Sequence, residues 1–166
     1  MILGVSTATY TLIHVLISLV GIGSGLIVMF GFLTGRQLNG MTAIFFVTTV
    51  LTSVTGFGFP VEHLLPSHIV GIISLLVLAV AIPARYIFHL AGAWRWIYVV
   101  TAAIALYLNV FVLVVQLFEK VPALKALAPT QKEAPFVIAQ LIVMVIFVAL
   151  TIVAAKRFRV PPTRMA

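Results

Sequence analysis

The sequence predicts an all-α integral membrane bundle of five transmembrane helices, with the N-terminus outside and the C-terminus in the cytoplasm. Three observations predict it. Hydrophobic residues make up 63% of the chain and charged residues 8%, against about 45–50% and about 25% in soluble domains. A mean hydropathy of +1.28 over 166 residues is more apolar surface than so small a sphere can enclose. The apolar residues also fall into five runs, and a helix needs about 20 such residues to cross the hydrocarbon layer.

The first run covers residues 10–33 and ends at Thr34-Gly35-Arg36. Residues 1–9 before it carry no Lys or Arg, so it reads as a retained span and not as a signal peptide, which needs a basic leading region. The second run, 41–59, ends at Pro60. The third, 67–86, is cleanly apolar to Ile82 and continues as Pro83-Ala84-Arg85-Tyr86. There Arg85 is expected to snorkel and Pro83 to kink the inner end; a re-entrant third segment would leave four spans instead of five. The fourth and fifth runs are 96–118 and 136–155. Between them lies the longest polar stretch, broken by Pro122, Pro129 and Pro135, with Leu124 and Leu127 placed to rest on the interface. No repeat or linker divides the chain, so residues 1–166 read as one transmembrane domain, and an inverted-repeat transporter is not indicated.

Orientation comes from the basic residues. A cytoplasmic C-terminus puts Arg36, Arg85, Arg95, Lys156, Arg157, Arg159 and Arg164 inside, and leaves Lys120, Lys125 and Lys132 outside with Glu119 and Glu133. That bias follows the positive-inside rule. It accounts for the net charge of +7 without a nucleic-acid partner. The chain has no cysteine, which excludes disulfides, thiolate metal sites, covalent c-type haem and cysteine nucleophiles.

Polar side chains inside a membrane are costly, so their positions carry information. In the first span Thr7, Thr11, His14, Ser18, Gly21 and Gly25 recur at steps of three and four and share one face. Gly21-x-x-x-Gly25 admits a closely packed neighbour, which turns His14 inward. Thr48, Thr52 and Thr55 form a stripe on the second span; Tyr98, Ala102, Ala105, Asn109 and Gln116 share a face of the fourth. Ser67, His68, Gly71 and Ser74 open the third span, and Gln140 follows the start of the fifth. In the predicted topology His14, Thr52, Thr55, His68, Asn109, Gln116 and Gln140 all fall in the outer half, with Glu62 and His63 in the loop just above. His89, with Arg85, Tyr86, Trp94, Arg95 and Trp96, reads as an interfacial belt. The asymmetry points to one polar site near the outer surface, built around His14 and His68 and lined by Tyr10, Thr55, Asn109, Gln116 and Gln140.

Two histidines at that level would serve as axial ligands of b-type haem, given facing helices, small residues and an apolar cleft. Gly71 and the glycine ridge supply room, and Phe57 and Phe59 could pack the ring; His68 lies about one turn shallower than His14. A metal site of His14 and His68 with His63 or Glu62 is the second reading, although no His-x-x-x-His or Glu-x-x-His pair lies within one helix. The third is a quinone pocket in which His, Tyr10 and Gln hydrogen-bond the carbonyls. The competing class is a non-catalytic small transporter, channel or accessory subunit whose polar groups only fasten helices. No acidic residue lies inside a span, against a carboxylate proton pump, and no hydrolytic constellation is present.

The stretches LIHVLISLVGIGSGLIVMFGFLTGR, TSVTGFGFP followed by LLPSHIVGIISL, and APTQKEAPF resemble a group of small, uncharacterised bacterial inner-membrane proteins. The resemblance covers nearly the whole chain and implies a multi-pass inner-membrane location. A looser similarity, limited to His14 and His68, is to multi-span b-type cytochromes. Those that hold two haems need four histidines in two layers, and here the inner layer offers only His89. The expectation is therefore a redox protein that binds haem b, quinone or both at the outer side. Its expected partners are the lipid bilayer, quinone or respiratory-chain proteins, and a second copy of the chain.

Overall fold

The computed structural model describes residues 4–59 and 66–159. The chain folds as helices α1 (Thr7–Leu33), α2 (Asn39–Gly56), α3 (Pro66–Tyr86), α4 (Trp94–Lys120), α5 (Pro122–Leu127) and α6 (Ala134–Arg157). Five of them, all but α5, are long and apolar enough to cross a membrane. The predicted fold class is therefore present, with helix ends extended or trimmed by a few residues. Glu62, His63 and Arg164 lie outside the described residues.

Local chemistry sets the ends. The Ser6 side chain accepts the Thr9 N–H at 3.1 Å, so α1 starts three residues before its apolar run, on a hydroxyl N-cap. At the other end Gly35 takes φ +69°, the Gly35 N–H reaches the Phe32 carbonyl at 3.3 Å and the Arg36 N–H reaches the Gly31 carbonyl at 2.8 Å. That pair of bonds is a Schellman stop, which needs a left-handed residue at Gly35. Glycine is the cheapest residue there. The Phe57–Phe59 segment, expected as helix, is a turn following α2. Pro122, at the first turn of α5, starts a six-residue helix within the stretch read as a loop, since proline suits that position. α3 runs through Pro83 to Tyr86 without a break.

α4 packs on α1, α3, α5 and α6, and α2 packs on both α1 and α3. α4 can be the hub because Ala102, Ala103 and Ala105 are buried on it and small residues let backbones approach. The glycine ridge of α1 works the same way. A Cβ on Gly25 would lie 2.6 Å from Leu106 Cδ1 and 2.9 Å from the Phe45 ring, and one on Gly21 would lie 3.1 Å from Thr48 Oγ1. α6 is peripheral: it buries only Gln140, Phe147, Ala154 and Ala155, while Val137, Ile138, Leu141, Ile142 and Val145 are exposed. Exposed apolar residues also line α1, at Leu12, Leu16, Leu19 and Val20. Such an outer surface suits lipid as solvent.

The tight core gathers toward the end of the bundle at which α6 finishes, where Phe32, Phe45, Phe46, Tyr98 and Phe158 are buried together. Residues 107–116 of α4, toward the other end, are all only half-buried. The bundle thus has a densely packed basic end and a looser end that carries His14 and His68.

Candidate functional site

At the looser end α1 and α2 are joined by side-chain contacts over the first two turns of α1. The Tyr10 hydroxyl donates to the Thr55 carbonyl at 2.8 Å. His14 Nδ1 lies 2.8 Å from Thr55 Oγ1. The Thr55 hydroxyl itself donates to the Leu51 carbonyl at 2.6 Å, the usual back-bond of a threonine in a helix. A hydroxyl has one proton, so the His14–Thr55 bond must take its proton from Nδ1. With the Thr55 proton on the Leu51 carbonyl, this arrangement puts a proton on Nδ1. No hydrogen bond to Nε2 is formed among the described residues.

Phe59 closes the group, packing edge-on to Tyr10 at 5.1 Å and to His14 at 5.2 Å. Gly58 makes room for Tyr10, since a Cβ there would stand 2.1 Å from its hydroxyl. Gly56 lies beside the imidazole, its Cβ position 3.8 Å from His14 Cε1. His14 sits about two turns into α1, at a depth of about 10 Å along the helix at 1.5 Å per residue.

The structure sets His68 in a different setting. It is buried on α3 and lies against Phe57, ring centroids 5.5 Å apart at 32°. Gly71 makes space for that phenylalanine, with its Cβ position 3.3 Å from Phe57 Cζ. α1 packs on α2, α4 and α6, α3 packs on α4 and α2, and α2 makes contact with both. His14 and His68 are thus held on two helices that share α2 as neighbour, each with its own phenylalanine partner. A haem with two axial histidines needs its ligands on helices that face each other across the ring. Phe59 and Phe57, the aromatic residues expected to pack a macrocycle, lie against His14 and His68 respectively.

The remaining predicted lining residues go to separate helix contacts. Asn109 Nδ2 donates to Thr49 Oγ1 at 3.1 Å, tying α4 to α2. Gln140 Nε2 donates to the Phe111 carbonyl at 3.1 Å, tying α6 to α4. Gln116 Nε2 lies 3.4 Å from Glu119 Oε2 on its own exposed helix face. Tyr10, His14 and Thr55 are the predicted residues that hydrogen bonds bring together among those described. Thr52 Oγ1, Ser74 Oγ and Gln140 Oε1 are buried without a hydrogen-bond partner among the described residues.

No family model, no curated protein and no solved structure matches the chain. The functional reading rests on the site alone.

One polar group at the basic end departs from the sequence reading. Arg85 does not snorkel; it is only 8% exposed. Its Nη2 donates to Asn39 Oδ1 and its Nη1 to the Tyr98 hydroxyl at 3.3 Å. The guanidinium also lies 5.3 Å from the Tyr98 ring centre and 5.6 Å from that of Tyr86. Two hydrogen bonds and two aromatic faces stand in for a carboxylate, and attraction to ring faces strengthens when water is excluded. The signal in the sequence was Asn39 and Tyr98, polar residues at the ends of neighbouring spans on the same side as Arg85.

Proposed function

We propose that the protein is a quinone-linked redox component of a bacterial inner membrane, with the quinone headgroup bound at His14. The observation that carries this reading is the 2.8 Å bond between His14 Nδ1 and Thr55 Oγ1: with the Nδ1 proton on Thr55, a neutral imidazole would offer Nε2 as an acceptor at the half-open end of the bundle. A quinol hydroxyl would donate to Nε2, with the Phe59 ring beside it and the isoprenoid tail in the lipid along the exposed face of α1. Second-sphere bonds of this kind fix which imidazole nitrogen is available. The electrons would pass to or from a respiratory-chain partner. The N-terminal end, with His14, is proposed to face outward and the basic end the cytoplasm, following the distribution of Lys and Arg.

The test is the purified protein in mild detergent. Solvent extraction is expected to release close to one quinone per chain, and His14→Ala and Thr55→Val should each reduce added-quinone binding at least tenfold. A preparation with no quinone that also binds none when it is added would overturn the reading. A visible spectrum of the same sample tests haem b: a Soret band abolished by His14→Ala would make His14 an iron ligand in place of a quinone contact.

A second reading has its own support. Thr11, Ser18, Ser24, Thr48, Ser53, Thr101 and Thr151 all bond back to carbonyls of their own helix. Asn109 and Gln140 fasten helices. This is the pattern of an accessory subunit whose polar groups serve packing, and it is favoured if neither quinone nor haem binds.

A further inference from the structure

The last described residues do not leave the bundle freely. Phe158, fully buried, inserts between Phe32 at 5.0 Å and Tyr98 at 5.9 Å. Its carbonyl accepts from Arg95 Nη1, and Arg95 lies over the Trp96 ring at 4.6 Å. This clamp turns the segment 156–159 into a divider between two clefts. One, of about 500 Å³, is lined by Arg95, Trp96, Lys156 and Arg159 among others. The other, of about 610 Å³, is lined by Thr34, Lys156, Arg157 and Arg159 among others. Lys156 and Arg159 border both.

Among the described residues no carboxylate opposes these cations. Glu119 and Glu133 flank the connection between α4 and α6 at the opposite end, and neither cleft has an acidic lining residue among the described residues. The stacked pair Phe88 and Trp94, 3.9 Å apart, and exposed Trp96 mark the depth where aromatic side chains meet lipid headgroups. Basic clefts at that depth attract anionic headgroups, and arginine matches phosphate oxygens with paired donors.

We propose that the two clefts form one site for a phospholipid headgroup carrying two phosphates, one phosphate in each cleft with Lys156 and Arg159 shared between them. The bilayer supplies this ligand, and a phosphate-binding site for a soluble anion is the rival outcome of the test. The proposal stands independently of the quinone reading, which concerns the other end of the bundle.

The test is native mass spectrometry of the full chain in detergent, titrated with diphosphatidylglycerol, phosphatidylglycerol and phosphatidylcholine. Diphosphatidylglycerol is expected to bind at least tenfold more tightly than phosphatidylglycerol, with no retention of phosphatidylcholine. The double variant Lys156→Gln/Arg159→Gln should lose at least tenfold of that affinity, while Arg36→Gln, at the same end but outside both clefts, should stay within twofold. Equal affinity for the one- and two-phosphate lipids overturns the proposal, and so does an unchanged double variant. Displacement of the lipid by an equal concentration of inorganic pyrophosphate would assign the site to a free anion and also overturn it. The comparison of lipids on the unaltered chain decides the matter even if the double variant fails to fold.

Discussion

Gly25 gives the sharpest test of how the bundle is packed. The perturbation is one methyl group, Gly25→Ala, compared with Gly23→Ala on the same helix. A Cβ at Gly25 would meet Leu106 Cδ1 at 2.6 Å and Phe45 Cδ2 and Cε2 at 2.9 Å, whereas at Gly23 nothing lies within 4 Å. Leu106 and Phe45 are each 1% exposed, so neither can swing aside into solvent or lipid. Inserting a methyl into such a contact costs about 1–3 kcal/mol. Replacing glycine by alanine within a helix gains up to about 1 kcal/mol of propensity. That gain is common to both sites, so the difference between the two variants isolates the packing cost. Gly25→Ala should therefore be less stable than Gly23→Ala by about 1–3 kcal/mol. Unfolding followed by circular dichroism as a denaturing detergent is mixed into a mild one measures it. Equal stability of the two variants would refute the close approach of α1, α2 and α4 at this level.

Three further predictions concern polar groups. Tyr98→Phe removes the hydroxyl that accepts from Arg85 and leaves a buried guanidinium hydrogen unpaired, so the same unfolding assay should show a loss of about 1–3 kcal/mol. Gln140→Met gives up one bond to the Phe111 carbonyl but also removes an unsatisfied buried oxygen; intramembrane side-chain bonds average only about 0.6 kcal/mol, so stability should stay within about 1 kcal/mol of the parent, read in the same way. Glu133, ahead of α6, is partly exposed. Desolvation of its carboxyl would raise its pKa, but hydrogen bonds from the Thr130 hydroxyl and amide and from the Lys132 amide together outweigh it and hold the group below the usual carboxylate range. The ordering it gives to the turn before α6 is then fully present above the unfolded-state value and is lost as pH falls through the lower folded value. Hydrogen exchange at the Thr130 and Lys132 amides, corrected for intrinsic rates, should accelerate across that acidic window, and Glu133→Gln should remove the pH dependence.

The five apolar runs were legible because a bilayer demands continuous lengths of apolar sequence, and hydropathy records length directly. The ends were less legible. Thr7 to Thr9, Trp94-Arg95 and Glu119-Lys120 are polar or amphipathic, yet the helices continue through them, because caps and interfacial side chains satisfy the terminal groups. α5 escaped notice because six residues between prolines carry no periodic signal. The inward face of α1 was also readable, since three- and four-residue steps fix which side chains share a face. What periodicity lacks is the identity of the neighbour. His14 pairs with Thr55, 41 positions away, on a helix that periodicity alone does not place beside it. The burial of Arg85 depends in the same way on Asn39 and Tyr98, which belong to other elements.

Every functional placement above assumes that the His14 end and the basic end lie on opposite sides of a membrane crossed five times. Because the chain contains no cysteine, single cysteines can report this without background, using a membrane-impermeant maleimide on intact and permeabilised cells. Ser6→Cys and Lys125→Cys should be labelled from outside in intact cells, while Gln37→Cys and His89→Cys should react only after permeabilisation. Labelling of Ser6→Cys and Gln37→Cys from the same side, or of Gln37→Cys and His89→Cys from opposite sides, would contradict the five-span arrangement.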